Sequence, residues 1–144
     1  MDLGIGGKVA LVTGGARNLG KADSLVLARE GCAVAVVDLN GEGAQETAAE
    51  IVGKGGRAKG YTCDIADRNQ VAATVSQIER DLGPVDILVN NASIIWTLAQ
   101  LKDMKDDEWD LNMAVNLTGA YNVTKAVFPG MRERRWGRVV SMAS

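Results

Sequence analysis

The chain contains no histidine. That absence removes any Ser-His-acid triad and the usual zinc sites from consideration. Its two cysteines, Cys32 and Cys63, lie far apart beside apolar runs, in neither metal-ligand nor redox spacing. They read as small buried hydrophobes, and no metal site is expected. No stretch approaches the ~18 consecutive apolar residues of a spanning helix, and no signal peptide opens the sequence, so the expectation is a cytoplasmic protein without a membrane partner. Neither sign of charge prevails: 16 basic residues face 18 acidic ones, for a net charge of −2 and a pI near 5.1. Nucleic acid is therefore not an expected partner. What remains is 144 residues, 47% hydrophobic and 24% charged. That is a globular composition, enough for one domain burying ~70% of its unfolded surface.

Strand and helix patterns alternate from end to end. Val9–Val12, Ala33–Val37, Ala58–Thr62, Asp86–Val89 and Arg138–Met142 read as short strands, mostly continuous apolar runs. Such runs suit a parallel sheet covered on both faces. Leu19–Glu30, Gly43–Gly53, Asp67–Asp81 and roughly Lys105–Arg134 read as helices; in the third, Val71, Val75 and Ile78 recur at helical spacing. Gly31, Gly53, Gly55-Gly56 and Gly83-Pro84 supply the stops and turns. No linker or low-complexity tract divides the chain. The pattern predicts one doubly wound, three-layer α/β domain over residues 1–144, with ligands beyond the carboxyl ends of its strands.

Lys8-Val-Ala-Leu-Val-Thr-Gly-Gly-Ala-Arg-Asn-Leu-Gly20 is the most informative stretch: an apolar run, a glycine-containing turn and the start of a helix. Eighteen residues after Gly20 the second apolar run stops on an acid, Asp38. This layout suits a dinucleotide, whose pyrophosphate meets free amides at a helix N-terminus while the acid meets the ribose hydroxyls. Asn18 stands within the turn, and asparagine is well suited to a positive φ there. Asp38 would repel a 2′-phosphate and so favours NAD over NADP; Arg17, in the turn, pulls the other way with less weight.

Together these motifs resemble the N-terminal part of the short-chain dehydrogenase/reductase family, from Lys8 to Ser144. Thr13-Gly-Gly-Ala-Arg-Asn-Leu-Gly20 is similar to the family's TGxxxGxG turn, with Asn18 in place of the middle glycine. Cys63-Asp64-Ile65 matches the segment with which the family holds adenine. Asn90-Asn91-Ala92-Ser93 resembles its NNAG, with Ser93 replacing glycine. Asn116 falls on the helix asparagine of the family's proton relay, and Ser144 on its catalytic serine. The resemblance implies a Rossmann-like sheet ending here after its fifth strand. It also implies an oxidoreductase interconverting a secondary alcohol and a ketone by hydride transfer. Gly14, Arg17, Asn18, Leu19, Gly20, Asp38, Asp64, Ile65 and Asn91 would bind the cofactor; Asn116 and Ser144 would serve the chemistry.

The family's tyrosine and lysine belong about a dozen residues past the serine, so the 144 residues alone are expected to be inactive, and their open edge to promote association into an oligomer. Tyr121-Asn-Val-Thr-Lys125 has the family's Tyr-x-x-x-Lys spacing but lies upstream of Ser144, and reads as helix packing and surface. Trp96 is an even choice between pocket lining and a lid on the core, and Trp109 reads as packing. Arg132, Arg134, Arg135 and Arg138 around Trp136 read as a solvated helix end. Two rivals stay open at this stage: a dinucleotide-binding or interaction module without chemistry, and a flavin- or mononucleotide-binding α/β protein, which Asp38 disfavours.

Overall fold

A computed structural model describes residues 2–95 and 99–143. It contains strands β1 (Val9–Thr13), β2 (Ala33–Asp38), β3 (Arg57–Thr62), β4 (Ile87–Asn90) and β5 (Arg138–Ser141). Helices α1 (Asn18–Arg29), α2 (Gly41–Gly53) and α3 (Arg68–Asp81) alternate with the first four strands. The fourth helical region is continuous but not uniform: α4 (Asp106–Met113) runs into a π-helical segment, Ala114–Gly119, and on into α5 (Ala120–Glu133). Every strand pairing is parallel, in the order β3-β2-β1-β4-β5. The doubly wound α/β architecture is thus the observed one.

The alternation of side chains along each strand sorts the core into two faces. Val9, Leu11, Ala35, Val37 and Leu88 pack with Val71, Val75 and Ile78 of α3 and with Val123, Val127 and Met131 of α5. Ala10, Val12, Val34, Val36 and Val89 face the other way, against Leu25 and Ala28 of α1 and Ala44, Ala48 and Ile51 of α2. The three layers follow directly.

Coverage on both faces holds for β1, β2 and β4 but not at the sheet margins. β5 is an edge with β4 as its neighbour, and its Val139 and Val140 are about half exposed despite their apolar character. β3, at the opposite edge, is protected differently. Lys59 ion-pairs with Asp81 at 2.8 Å and the Tyr61 hydroxyl donates to the same carboxylate at 3.0 Å, tying a charged edge to the end of α3.

Local signals set the helix starts. Asn40 caps α2, its Oδ1 accepting from Gly43 N–H at 3.2 Å. Asp67 caps α3 by accepting from the amides of Asn69 and Gln70 at 2.8 and 3.1 Å. Those two amides hold the Asp67 carboxyl below its ordinary value, Gln70 contributing most. Trp109, expected in the packing, is half exposed: α4 contributes no buried residue to the core. Arg134 differs too, since it is no merely solvated helix end; it donates to the Val85 carbonyl at 2.7 Å and faces Asp86 at 3.6 Å. Lys8 and Arg138 approach the Trp136 ring at 4.3 and 4.9 Å from its centroid.

Candidate functional site

The strand order reverses direction at β1, which lies between β2 and β4. Ligands in open α/β sheets bind outside the carboxyl ends of the strands at such a point. Here three chain segments converge there: the turn after β1, the end of β2 and the segment after β4. Register brings them level, because Thr13 lies beside Val37 and Val12 beside Val89.

The turn after β1 depends on two residues in the left-handed region, Gly14 at φ 66° and Asn18 at φ 50°. Gly14 is also needed for space, since a Cβ there would stand 2.9 Å from both Ala92 Cα and Asn91 Nδ2. A Cβ on Gly20 would overlap the Gly14 carbonyl oxygen, so α1 can begin this close to the strand only with glycine. Arg17 precedes the helix, exposed and without a side-chain cap. The first intrahelical bond runs from Lys21 N–H to the Arg17 carbonyl at 3.2 Å. Among the described residues, no hydrogen bond occupies the amides of Asn18, Leu19 and Gly20. Such a set of unpaired donors, with the positive end of the helix dipole behind it, suits an anion.

Asp38 reaches back to this turn. Its Oδ2 accepts from Ala16 N–H at 3.0 Å and its Oδ1 from Asn40 N–H at 2.9 Å. A carboxylate has about four acceptor sites, so each oxygen keeps capacity for a further donor. The segment after β4 closes the other side. Asn91 Nδ2 donates to the carbonyls of Thr13 and Gly14 at 3.1 and 3.2 Å, so the asparagine holds the turn itself. Asn90 donates to Thr124 Oγ1 at 3.0 Å, linking β4 to α5.

Asp64 and Ile65 lie just past β3, whose end is joined to β2 by Cys63 N–H donating to the Asp38 carbonyl at 3.0 Å. Asp64 Oδ1 accepts from Ala66 N–H at 2.9 Å, and no hydrogen bond among the described residues uses the Ile65 amide. The Ile65 side chain packs so closely on Gly119 that a Cβ there would stand 2.6 Å from it. Burial pushes the Cys63 thiol above its ordinary pKa, which leaves it inert beside the site.

Asn116 sits in the π-helical segment and is clasped to the chain just after Asn91. Its Oδ1 accepts from Ile94 N–H and its Nδ2 donates to the Ile94 carbonyl, both at 2.8 Å. Irregular turns of this kind recur at functional sites. Ser144 and Trp96 lie outside the described residues. Tyr121 and Lys125 are exposed on α5, the ammonium 5.5 Å from the ring centroid. They are surface residues, in line with the sequence reading.

Two polar residues that build the site, Asn122 and Thr47, carried no recognisable signal, and a third, Thr13, was visible only as the first residue of the TGxxxGxG resemblance. Thr13 is 1% exposed, and its hydroxyl accepts from the amides of Asn91 and Ala92, both at 3.1 Å. Asn122, buried in α5, donates to the Ile65 carbonyl at 2.9 Å. Thr47, fully buried in α2, donates to the Ala16 carbonyl at 3.4 Å. Their partners lie 31 to 79 residues away in sequence, beyond any local pattern. Asn40 was legible in principle, as an asparagine three residues before Gly43 at a helix start.

Comparison with known proteins agrees with this architecture. The family model described as short chain dehydrogenase matches residues 8–144. D-threitol dehydrogenase of Mycolicibacterium smegmatis is 40% identical over 143 residues, covering 99% of this chain and 55% of that protein. A crystal structure of NAD+-bound xylitol dehydrogenase superposes with a TM-score of 0.93 at 39% identity, covering 97% of this chain and 54% of the other. A metagenomic short-chain oxidoreductase in complex with NADP gives a TM-score of 0.92 at 34% identity, covering 97% and 63%. The chain thus spans about half the length of the curated relatives it matches. In sequence and in fold alike, it belongs to the short-chain dehydrogenase family.

Proposed function

We propose that residues 1–144 form the dinucleotide-binding domain of an NAD-dependent oxidoreductase that interconverts a secondary alcohol and a ketone. One observation carries the reading: a carboxylate at the end of β2, with acceptor capacity to spare, is hydrogen-bonded to the same turn whose helix amides are unpaired. In this reading Gly14, Arg17, Asn18, Leu19 and Gly20 surround the pyrophosphate, the amides of Asn18, Leu19 and Gly20 donating to it. Asp38 accepts from the adenosine ribose hydroxyls. Asp64 and the Ile65 amide take the adenine edge, and Asn91 keeps the turn in shape. Asn116 supports a proton relay and Ser144 orients the substrate oxygen. When bound, the nicotinamide ring gives or accepts the hydride.

The solved relatives carry NAD+ in one case and NADP in the other, so the preference for NAD rests on Asp38. D-threitol and xylitol, named for two relatives, are both alcohols, in keeping with the substrate class. The exposed Leu117, Tyr121 and Phe128 along the last helix favour a homo-oligomer. We assign the protein to the cytoplasm, where unpaired cysteines such as Cys32 and Cys63 persist.

Isothermal titration with NADH, NADPH and FMN tests the reading. NADH should bind more tightly than NADPH, and FMN not at all. Asp38→Ser should weaken NADH roughly tenfold, the scale of losing charge-assisted hydrogen bonds, and narrow the gap to NADPH. Binding of FMN alone, or no response to either nicotinamide cofactor, overturns it.

A further inference from the structure

Asp38 is one node of a closed ring of hydrogen bonds that passes through α2. Ala16 N–H donates to Asp38 Oδ2 at 3.0 Å, and the Ala16 carbonyl accepts from Thr47 Oγ1 at 3.4 Å. Residue 16 is thus held at both of its backbone groups, by two different elements. One turn earlier on α2, Gly43 lets the helix seat directly on the loop; a Cβ there would stand 2.9 Å from Ala16 Cβ. Gly43 N–H donates to Asn40 Oδ1 at 3.2 Å, and Asn40 N–H donates to Asp38 Oδ1 at 2.9 Å, which closes the ring.

Thr47 is unusual for its place. A helical threonine ordinarily returns its hydroxyl to a carbonyl three or four residues back, and it is a poorer helix former than alanine. Here the hydroxyl is fully buried and its partner lies across the element boundary, on the loop that carries the Asp38 bond. The two amides fix the plane of the carboxylate, and with it the directions left for ligand hydroxyls.

We infer that Thr47 is a positioning residue for cofactor choice: by holding Ala16 it orients Asp38 toward a ribose with a free 2′-hydroxyl and against a 2′-phosphate. The inference rests on the proposed function. A threonine that merely stabilised the fold would weaken both cofactors by one factor. A threonine that orients Asp38 changes their ratio.

The experiment titrates wild type, Thr47→Val, Thr47→Ser and Asn40→Ala with NADH and with NADPH, alongside thermal melts. Thr47→Val is expected to weaken NADH roughly fivefold, the worth of about one hydrogen bond, while NADPH moves less than about twofold. Thr47→Ser keeps the hydroxyl and should retain the wild-type ratio. If Thr47→Val does not fold, Asn40→Ala carries the test, because it cuts the ring at the α2 cap and should lower the ratio in the same direction. An unchanged NADH-to-NADPH ratio in Thr47→Val, or in Asn40→Ala where Thr47→Val does not fold, overturns the inference and leaves the proposed function standing. Failure of the wild type to bind either cofactor overturns both.

Discussion

Thr13 offers the sharpest test of how the site is assembled. Its hydroxyl accepts from the amides of Asn91 and Ala92 at 3.1 Å each and donates to the Val89 carbonyl at 3.4 Å. Thr13→Val preserves shape and so opens no cavity, but it removes all three interactions. Asn91 N–H retains an alternative partner in the Val89 carbonyl at 3.1 Å, whereas Ala92 N–H has no other partner among the described residues. Net loss of the hydrogen bonds contributes about 1 kcal/mol, and the orphaned amide about 1–3 kcal/mol more, for a total of roughly 2–4 kcal/mol. For a domain of this size that corresponds to a fall in Tm of about 5–15 °C. Thr13→Ser keeps the hydroxyl and gives up one methyl, about 1 kcal/mol. Urea unfolding followed by circular dichroism separates the two substitutions. If Thr13→Val stays within about 0.5 kcal/mol of wild type, or Thr13→Ser costs as much, the hydroxyl does not join β1 to β4 as argued.

Other consequences are equally open to measurement. Gly20→Ala should lower stability by about 1–3 kcal/mol although alanine is the better helix former, because its Cβ overlaps the Gly14 carbonyl; a stabilised variant in a urea melt contradicts the packing. Glu50 is held down to about 2 by hydrogen bonds from Lys21 and Lys54, so its stabilisation is complete above about 4.5 and fades as pH falls toward 2. Glu50→Gln should therefore show a shallower loss of Tm between those pH values than wild type, and parallel acid limbs would exclude the linkage. Burial raises the pKa of both Cys32 and Cys63 thiols, so at neutral pH neither should react with a disulfide reagent until the chain unfolds; rapid labelling of native protein would refute their burial.

The parts of the fold legible in the sequence are those where one local requirement dominates. Val9–Val12 and Ala33–Val37 are apolar because both faces of a central parallel strand are covered, so composition alone marks them. Gly14 and Gly20 are visible because each answers a backbone constraint no side chain can meet. The margins are less legible. Val139 and Val140 look like core residues yet lie half exposed on an edge, since the same β-branched types suit any strand regardless of what covers it. The π-helical segment leaves no trace in the periodicity of Ala114–Gly119; it is marked only by tertiary contacts, Asn116 with Ile94 and Gly119 with Ile65.

The candidate site shows the same division at finer scale. Asp38 can be picked out from its distance to the turn, but not the two amides that orient it, because Ala16 lies 22 residues away and meets it only through the pairing of β1 with β2. Register is the physical link. With Thr13 beside Val37, Asp38 at the end of β2 stands level with Gly14, the first residue past β1, and Val12 beside Val89 brings Asn91 to the same level. A slip of one residue would turn Asp38 to the opposite face and part Asn91 from the turn. β1 and β2 are buried on both faces, so burial alone opposes that slip only weakly, and Thr13, Asn91 and Asp38 oppose it at the strand ends. The residues that shape the site therefore also lock the sheet, which is why a substitution at Thr13 should register first as lost stability.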